Sequence, residues 1–341
     1  MLTVWSEARV AVVGATGAVG REALAILAEW GHPIESVRAL ATETSAGQSL
    51  AYGATSLETR ALTREALAET DVVLLAAGAG PARELAPELI RNGRRVVDNS
   101  SAFRMDPEVP LVVPEINGDA VGRDTRLVAN PNCSAILMLI ALDPLRRAFG
   151  LERVVVSTYQ AVSGAGLAAM RELEQQTRDV LDGGSARPDV FPEPCAFNVF
   201  PHESALDPAT GLNEEETKMI REAQRVWADP ELIVAPTCAR VPVMRSHCQS
   251  LLVTLSRAST VAEVRAALAA GPGIEWHDAD GAGTPPTALR ATGTDAVHVG
   301  RLRSVPDGGE GRTFALWLAG DQLRKGAALN ALQIARLLAE S

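Results

Sequence analysis

Residues 9–13 (RVAVV) run straight into Gly14-Ala15-Thr16-Gly17-Ala18-Val19-Gly20, and an amphipathic stretch at about 21–30 follows. An apolar run without polar alternation reads as a strand buried on both faces, the environment of a parallel sheet. Glycines at a strand-to-helix junction permit a tight turn and the close approach of a pyrophosphate, whose charge the helix N-terminus favours. The spacing is GxxGxxG, a variant of the dinucleotide fingerprint. Its place between strand and helix is what makes it specific.

The same rhythm continues through the first third of the chain. Strands are expected at residues 36–40, 70–76 (TDVVLLA), 94–97 and 126–129, with a helix at 82–92. Repeated β-α-β units with apolar strands imply a parallel sheet covered by helices. After about residue 131 the pattern changes. It reads as a helix at 134–148, a long strand at 153–159, a helix at 167–181 and an irregular, proline-containing stretch at 183–208. Strands at 251–255 and 314–319, a helix at 261–269 and an amphipathic helix at 326–339 complete it. The fold class is α/β, a Rossmann-type dinucleotide-binding domain followed by an α+β domain.

Composition narrows the partners. Asp and Glu number 42 against 32 Lys and Arg, a formal charge of −10, which disfavours nucleic acid and anionic membranes. The four cysteines, Cys133, Cys195, Cys238 and Cys248, form no CxxC pair and stand at no zinc spacing, so neither a metal site nor a disulfide scaffold is expected. The first eight residues lack the apolar core of a signal peptide, and no run of about 18 uncharged apolar residues occurs. A cytoplasmic protein is expected.

The second chemical signal is Asn130-Pro131-Asn132-Cys133-Ser134, which places Cys133 in the first turn of a helix. A helix N-terminus favours a thiolate, and a thiolate is a nucleophile. Beside a nicotinamide cofactor it suggests a sequence of steps. Sulfur attacks an aldehyde, hydride leaves for the cofactor, and the remaining thioester is resolved by water or phosphate. Such chemistry needs a proton-handling group near sulfur, an oxyanion donor, and cations for an anionic substrate. His247 and Arg240 stand seven apart in RVPVMRSH, and Arg104 follows a strand end of the parallel sheet. Glu215 and Lys218 share one face of a helix that Asn213 caps.

Taken together, VAVVGATGAVG, VVDNSSAFRMDPEVPLVVPEIN, ANPNCS, STYQAVSGAG, AFNVFP, RVPVMRSH and DQLRKGAALNALQIA resemble the aspartate-semialdehyde dehydrogenase family along nearly the whole chain. The resemblance implies a nucleophile at Cys133, an acid/base at His247, and Gln160 to orient the thioacyl intermediate. It implies Arg240 on the substrate α-carboxylate, Glu215 on its amino group, and Arg104 and Lys218 on phosphate. Gly14, Thr16, Gly17, Ala18, Val19, Gly20, Ser163, Gly164 and Gln322 would line the NADP site. It further implies a dinucleotide-binding domain at 1–131, a catalytic and dimerisation domain at 132–321, and a C-terminal helix, 322–341, that returns to the first domain. The implied reaction is the reversible NADPH-dependent reduction of 4-phospho-L-aspartate to L-aspartate 4-semialdehyde and phosphate. It serves lysine (with diaminopimelate), threonine and methionine synthesis, in a homodimer.

Two positions depart from the family pattern. Thr44 stands in the loop after the second strand, where relatives often carry an arginine for the NADP 2′-phosphate, and Cys248 replaces a usual serine. Thr44, Ser45 and Arg38 are the expected substitutes on the phosphate, and use of NAD is left open by the lost charge. Two rivals share these features. N-acetyl-γ-glutamyl-phosphate reductase usually reads NPGC where this chain reads NPNC, and a non-catalytic nucleotide-binding paralogue typically loses the cysteine or histidine that this chain keeps.

Overall fold

The computed structural model describes residues 5–277, 284–306 and 310–341. Its contacts divide the chain into two compact units, Met1–Asn132 with Ala327–Ser341, and Cys133–Gly326.

The first unit is built on strands β1 (Val10–Val13), β2 (Val37–Ala41), β5 (Arg60–Ala61), β6 (Val72–Leu75), β7 (Arg95–Asp98) and β8 (Leu127–Ala129), with a separate hairpin of β3 (Ser49–Tyr52) and β4 (Thr55–Glu58). The six form one parallel sheet in the order β5-β2-β1-β6-β7-β8. Val10 and Val12 of β1 join a core on one side, with helix α1 (Ala18–Glu29) and the C-terminal helix, Leu329–Glu340. Ala11 and Val13 join a core on the other side, with Leu67 of α2 (Arg64–Ala68) and Ala82, Ala86 and Leu89 of α3 (Ala79–Arg91). Burial of both faces is why β1 and β6 are apolar at every position. A short α4 (Pro114–Asn117) precedes β8.

The second unit carries a seven-stranded mixed sheet. Its strands are β9 (Leu151–Gln160), β10 (Phe200–Pro201), β11 (Ile233–Arg240), β12 (His247–Leu255), β13 (Ile274–His277), β14 (Val297–Ser304) and β15 (Thr313–Gly320), in the order β10-β11-β9-β12-β15-β14-β13. Helices α5 (Cys133–Phe149), α7 (Glu214–Val226) and α8 (Val261–Ala269) pack against it. Helix α6 (Leu167–Leu181) covers the loop after β9, and α9 (Ala288–Ala291) contacts β15. The residues that alternate with the covered ones form an open face, which exposes Val155, Tyr159, Ile233 and Leu252.

The C-terminal segment differs from expectation in one respect. Residues 322–326 stay with the second unit, and the chain passes through a π-turn, Arg324–Ala328, before the regular helix starts at Leu329. Asp321 fixes this arrangement, because its fully buried carboxylate accepts from the N–H groups of Leu323 and Arg324 and pairs with Arg245.

Candidate active site

In the first unit, the loop after β1 has the shape that its glycines permit. Gly14 has φ +87°, and a Cβ there would lie 2.6 Å from the Ala76 carbonyl oxygen. A Cβ on Gly20 would lie 2.3 Å from the Gly14 oxygen, so only glycine lets α1 pack this close to the loop. Helix α1 begins at Ala18 on an N-cap, Gly17, that has no side chain with which to cap it. A helix N-terminus behind a loop of this kind, at the strand ends where sheet order diverges on either side of β1, fits a dinucleotide pyrophosphate.

Thr44 and Ser45 lie in a 3-10 turn, Glu43–Ser45, that follows β2. The Thr44 hydroxyl is 2.9 Å from that of Thr42, and the Ser45 carbonyl accepts from Thr59. Arg38 is turned to the Glu35 carbonyl at 2.6 Å and pairs with Glu69. Its guanidinium is thus engaged on its own side of β2. Arg104 is buried, and its Nε donates to the Asn130 carbonyl at 2.8 Å.

The second unit gathers Cys133, His247, Gln160, Arg240, Glu215, Lys218, Ser163, Gly164 and Gln322. Cys133 is the first residue of α5, and His247 the first of β12; their Sγ and Nε2 are 3.5 Å apart. Two residues on, Gln249 projects to the same side of β12 and donates to the Ser134 carbonyl at 2.8 Å, which ties the strand to the head of the helix. Ser246, just before the histidine, is held at φ +74° by hydrogen bonds to Gln322 and Thr292. A non-glycine residue at positive φ is costly, and such strain persists where the surroundings over-determine it. The same Gln322 amide donates to Ser163, so one side chain joins the loop after β9 to the loop before β12. Gly326, within the π-turn, leaves room for the nucleophile: a Cβ there would approach that of Cys133 to 3.0 Å.

The protonation of His247 follows from its partners. The Ala161 backbone N–H donates to Nδ1 at 3.0 Å. Nδ1 therefore carries the lone pair and Nε2 the proton, so the ring offers an N–H to sulfur. Burial, with the Arg240 charge adding to it, pushes the ring down to about 3. Its unfolded value is about 6.5. As pH falls from 6.5, the unfolded chain takes up a proton that the native ring refuses. Stability should therefore decline by up to about 1.4 kcal/mol per pH unit from this residue. Burial pushes His32, His202 and His298 in the same direction. Thermal melts between pH 7.5 and 4.5 should show the decline, and His247→Gln should flatten it.

Arg240 is almost wholly buried at the end of β11. Its Nη1 donates to the Ala161 carbonyl at 2.8 Å, and its Nε and Nη2 grip Glu203 at 3.2 and 2.6 Å. Burial pushes the Glu203 carboxyl up, but bonding to Arg240 outweighs this and holds it below the usual carboxylate range. His202 lies 2.9 Å from Nη2. Both acceptors come from the stretch read as irregular, and the sequence analysis missed them. A carboxylate seated on the arginine fork marks a position suited to the carboxylate of a ligand. Gly164 lies beside this group, since a Cβ there would be 3.4 Å from both Arg240 Nη1 and His247 Cε1.

Gln160 ends β9, and its amide donates to Glu215 at 3.1 Å and accepts from Thr158. Glu215 lies in the first turn of α7, which starts with the capping box of Asn213 and Glu216. Lys218 lies one turn on, 3.5 Å from Glu215. Cys248 faces the opposite side of β12 from His247, buried against Ala291 and Ala319, and burial pushes its thiol up to about 11.

Comparison with known proteins identifies the family. Residues 9–123 match the family model described as semialdehyde dehydrogenase, NAD binding domain, and residues 142–325 match semialdehyde dehydrogenase, dimerisation domain. The aspartate-semialdehyde dehydrogenase of Synechocystis sp. is 43% identical over 338 residues, 98% of each chain. That of Bacillus subtilis is 39% identical over 337 residues, 96% of each. Among solved structures, aspartate semialdehyde dehydrogenase II of Vibrio cholerae complexed with ASA superposes with a TM-score of 0.92 at 38% identity, covering 97% of this chain and 98% of that one. With both domains matched and its whole length aligned, the chain belongs to the aspartate-semialdehyde dehydrogenase family.

Proposed function

We propose that the chain interconverts 4-phospho-L-aspartate and NADPH with L-aspartate 4-semialdehyde, phosphate and NADP⁺, running reductively in lysine, threonine and methionine synthesis. The observation that carries this reading is the Cys133–His247 pair at the head of α5, in a chain of this family. The test is a spectrophotometric assay with aspartate semialdehyde and phosphate, comparing NADP⁺ with NAD⁺. Turnover of N-acetyl-γ-glutamyl semialdehyde instead would favour the rival reductase.

In the reductive direction, Cys133 sulfur attacks the acyl carbon, phosphate departs, and a thioester remains. A nicotinamide dinucleotide, when bound, would supply hydride to the thioester carbon. The alkoxide that results collapses, releasing the aldehyde and restoring the thiolate. His247 keeps its Nε2 proton through this sequence and donates it as a hydrogen bond to sulfur and then to oxygen. The Ala161 N–H supports this role, because proton uptake by the ring would set Nδ1–H against another N–H. Gln160 orients the acyl group, Glu215 binds the substrate amino group, and Arg104 and Lys218 bind phosphate. Gly14, Thr16, Gly17, Ala18, Val19 and Gly20 would hold the pyrophosphate, with Ser163, Gly164 and Gln322 at the nicotinamide.

Arg240 takes the substrate α-carboxylate, displacing Glu203. Arg240→Leu removes a bidentate charge-assisted pair, so KM for the semialdehyde should rise by about 10–150-fold with a smaller change in kcat. Because the variant also strands Glu203, the comparison is made in Arg240→Leu/Glu203→Gln as well. A KM unchanged in both would move the carboxylate elsewhere.

Thr44 and Ser45 take the NADP 2′-phosphate with neutral groups only, so discrimination against NAD is expected to be weak. Thr44→Arg should raise the NADP:NAD ratio of kcat/KM by about 10–150-fold, the value of one charge-assisted bond. A wild-type ratio above about 10³ that the arginine leaves unchanged would mean that another group reads the phosphate.

The open face of the second unit's sheet, with Val155, Tyr159, Ile233 and Leu252, supports a homodimer. No helix among the described residues is long and apolar enough to cross a membrane, and we place the protein in the cytoplasm.

A further inference from the structure

At the edge of the seven-stranded sheet, β13 pairs in parallel with β14, setting Glu275 opposite His298 and His277 two residues further along the same face. One donor atom from each of these three side chains lies within 4.8 Å of the others. The two imidazoles meet nitrogen to nitrogen, His277 Nε2 to His298 Nδ1, at 2.8 Å. Glu275 Oε1 is 3.5 Å from the first and 3.7 Å from the second.

The outer partners determine where the ring protons are. His277 Nδ1 faces the Thr284 carbonyl at 2.9 Å, and a carbonyl only accepts, so Nδ1 carries the proton. His298 Nε2 faces the Thr294 hydroxyl at 2.8 Å, and that hydroxyl spends its own proton on the Ala291 carbonyl at 2.9 Å. Nε2 of His298 therefore carries a proton too. Each neutral ring is left with its lone pair on the inner nitrogen, and the two lone pairs point at each other beside a carboxylate. That is an arrangement in want of a cation. Rings whose outer N–H groups are fixed by a carbonyl and a hydroxyl, with inner nitrogens bare, are the usual condition of metal-bound histidine.

We propose that Glu275, His277 and His298 bind a divalent transition-metal ion, zinc by its donor set. Two imidazoles and a carboxylate suit zinc, and water from the exposed side of Glu275 would complete a tetrahedron. Zinc–nitrogen bonds of about 2.0–2.1 Å at a tetrahedral angle put the two nitrogens roughly 3.3 Å apart. The rings must part by about half an ångström, and β13, the outermost strand, pairs among the described residues with β14 alone.

The test is calorimetric titration of the chelator-stripped full chain with zinc chloride. Cys133→Ser is run in parallel to remove the thiol at the site described above. One equivalent should bind in both, and dehydrogenase turnover should be the same in wild type and in His277→Ala. His277→Ala and His298→Ala should each weaken this binding by at least about 100-fold. Thr294→Val, which leaves all three ligands in place but removes the hydroxyl that links His298 to the Ala291 carbonyl, should weaken it by about 10–100-fold. Equal zinc affinity in wild type and the two histidine variants would overturn the proposal. So would binding that vanishes in Cys133→Ser alone, or no saturable binding at all, in which case the two rings share a proton.

Discussion

Cys133→Ala is expected to lower turnover by at least about 10⁴-fold while the fold and dinucleotide binding survive, because the covalent step has no substitute and alanine is a good first-turn residue. The other three thiols serve as controls. Burial pushes Cys195 and Cys248 up to about 11, and pushes Cys238 far above the usual thiol range. They stay protonated at neutral pH and cannot replace the nucleophile. Serine at each should cost far less in kcat, although Cys238, which packs on Met219, should lose some stability. Steady-state rates and thermal melts on the four variants decide it. Activity above about 1% in Cys133→Ala would identify a different nucleophile.

The second large effect concerns what His247 does for sulfur. His247→Asn should lower kcat by about 10²–10⁴, the span associated with loss of a proton-handling side chain. Gln at the same position carries an amide N–H near the place of Nε2. If the ring is a donor that keeps its proton, His247→Gln should retain about tenfold more activity than His247→Asn. The pH profile is a second readout. A ring pushed down to about 3 gives the free enzyme no inflection near 6.5. An inflection near 6.5 that disappears in both variants would show instead that the ring takes the proton from the thiol.

Much of this site is legible in the chain because its parts sit at element boundaries. The glycine run between an apolar strand and a helix, the cysteine that opens α5 and the histidine that opens β12 are all marked by a change of pattern. What the sequence hides are residues whose role is made by tertiary contact. Glu203 and His202 lie in a stretch without periodicity, and nothing local signals that they close on Arg240. Gln249 is one of several polar residues in β12, and only the fold shows that it holds the head of α5. Strand β11 is disguised by Pro236, which argues against a central strand. Its outer neighbour β10 covers only Ala239 and Arg240, so Pro236 lies on an uncovered stretch where no ladder donor is missed. Strand β14 is broken by a bulge between Gly300 and Arg303, with Arg301 at φ +58°, which hides its alternation. Helices α1 and α3 begin three residues before the expected positions, because glycines at their N-termini read as loop.

The C-terminal helix completes the core of the first unit with Leu329, Leu332, Ile334 and Leu338. That core is therefore assembled from the two ends of the chain, with the whole second unit made in between. A ribosome adding about 5–20 residues per second needs roughly 10–40 s to make the intervening and final segments. Through that interval the faces of β6 and β7 on which this helix packs stay uncovered, while the second unit, continuous in sequence, can already close. Birth order and folding order are then inverted: the half that emerges first is finished last. The uncovered faces of β6 and β7 are where a chaperone would bind the nascent chain.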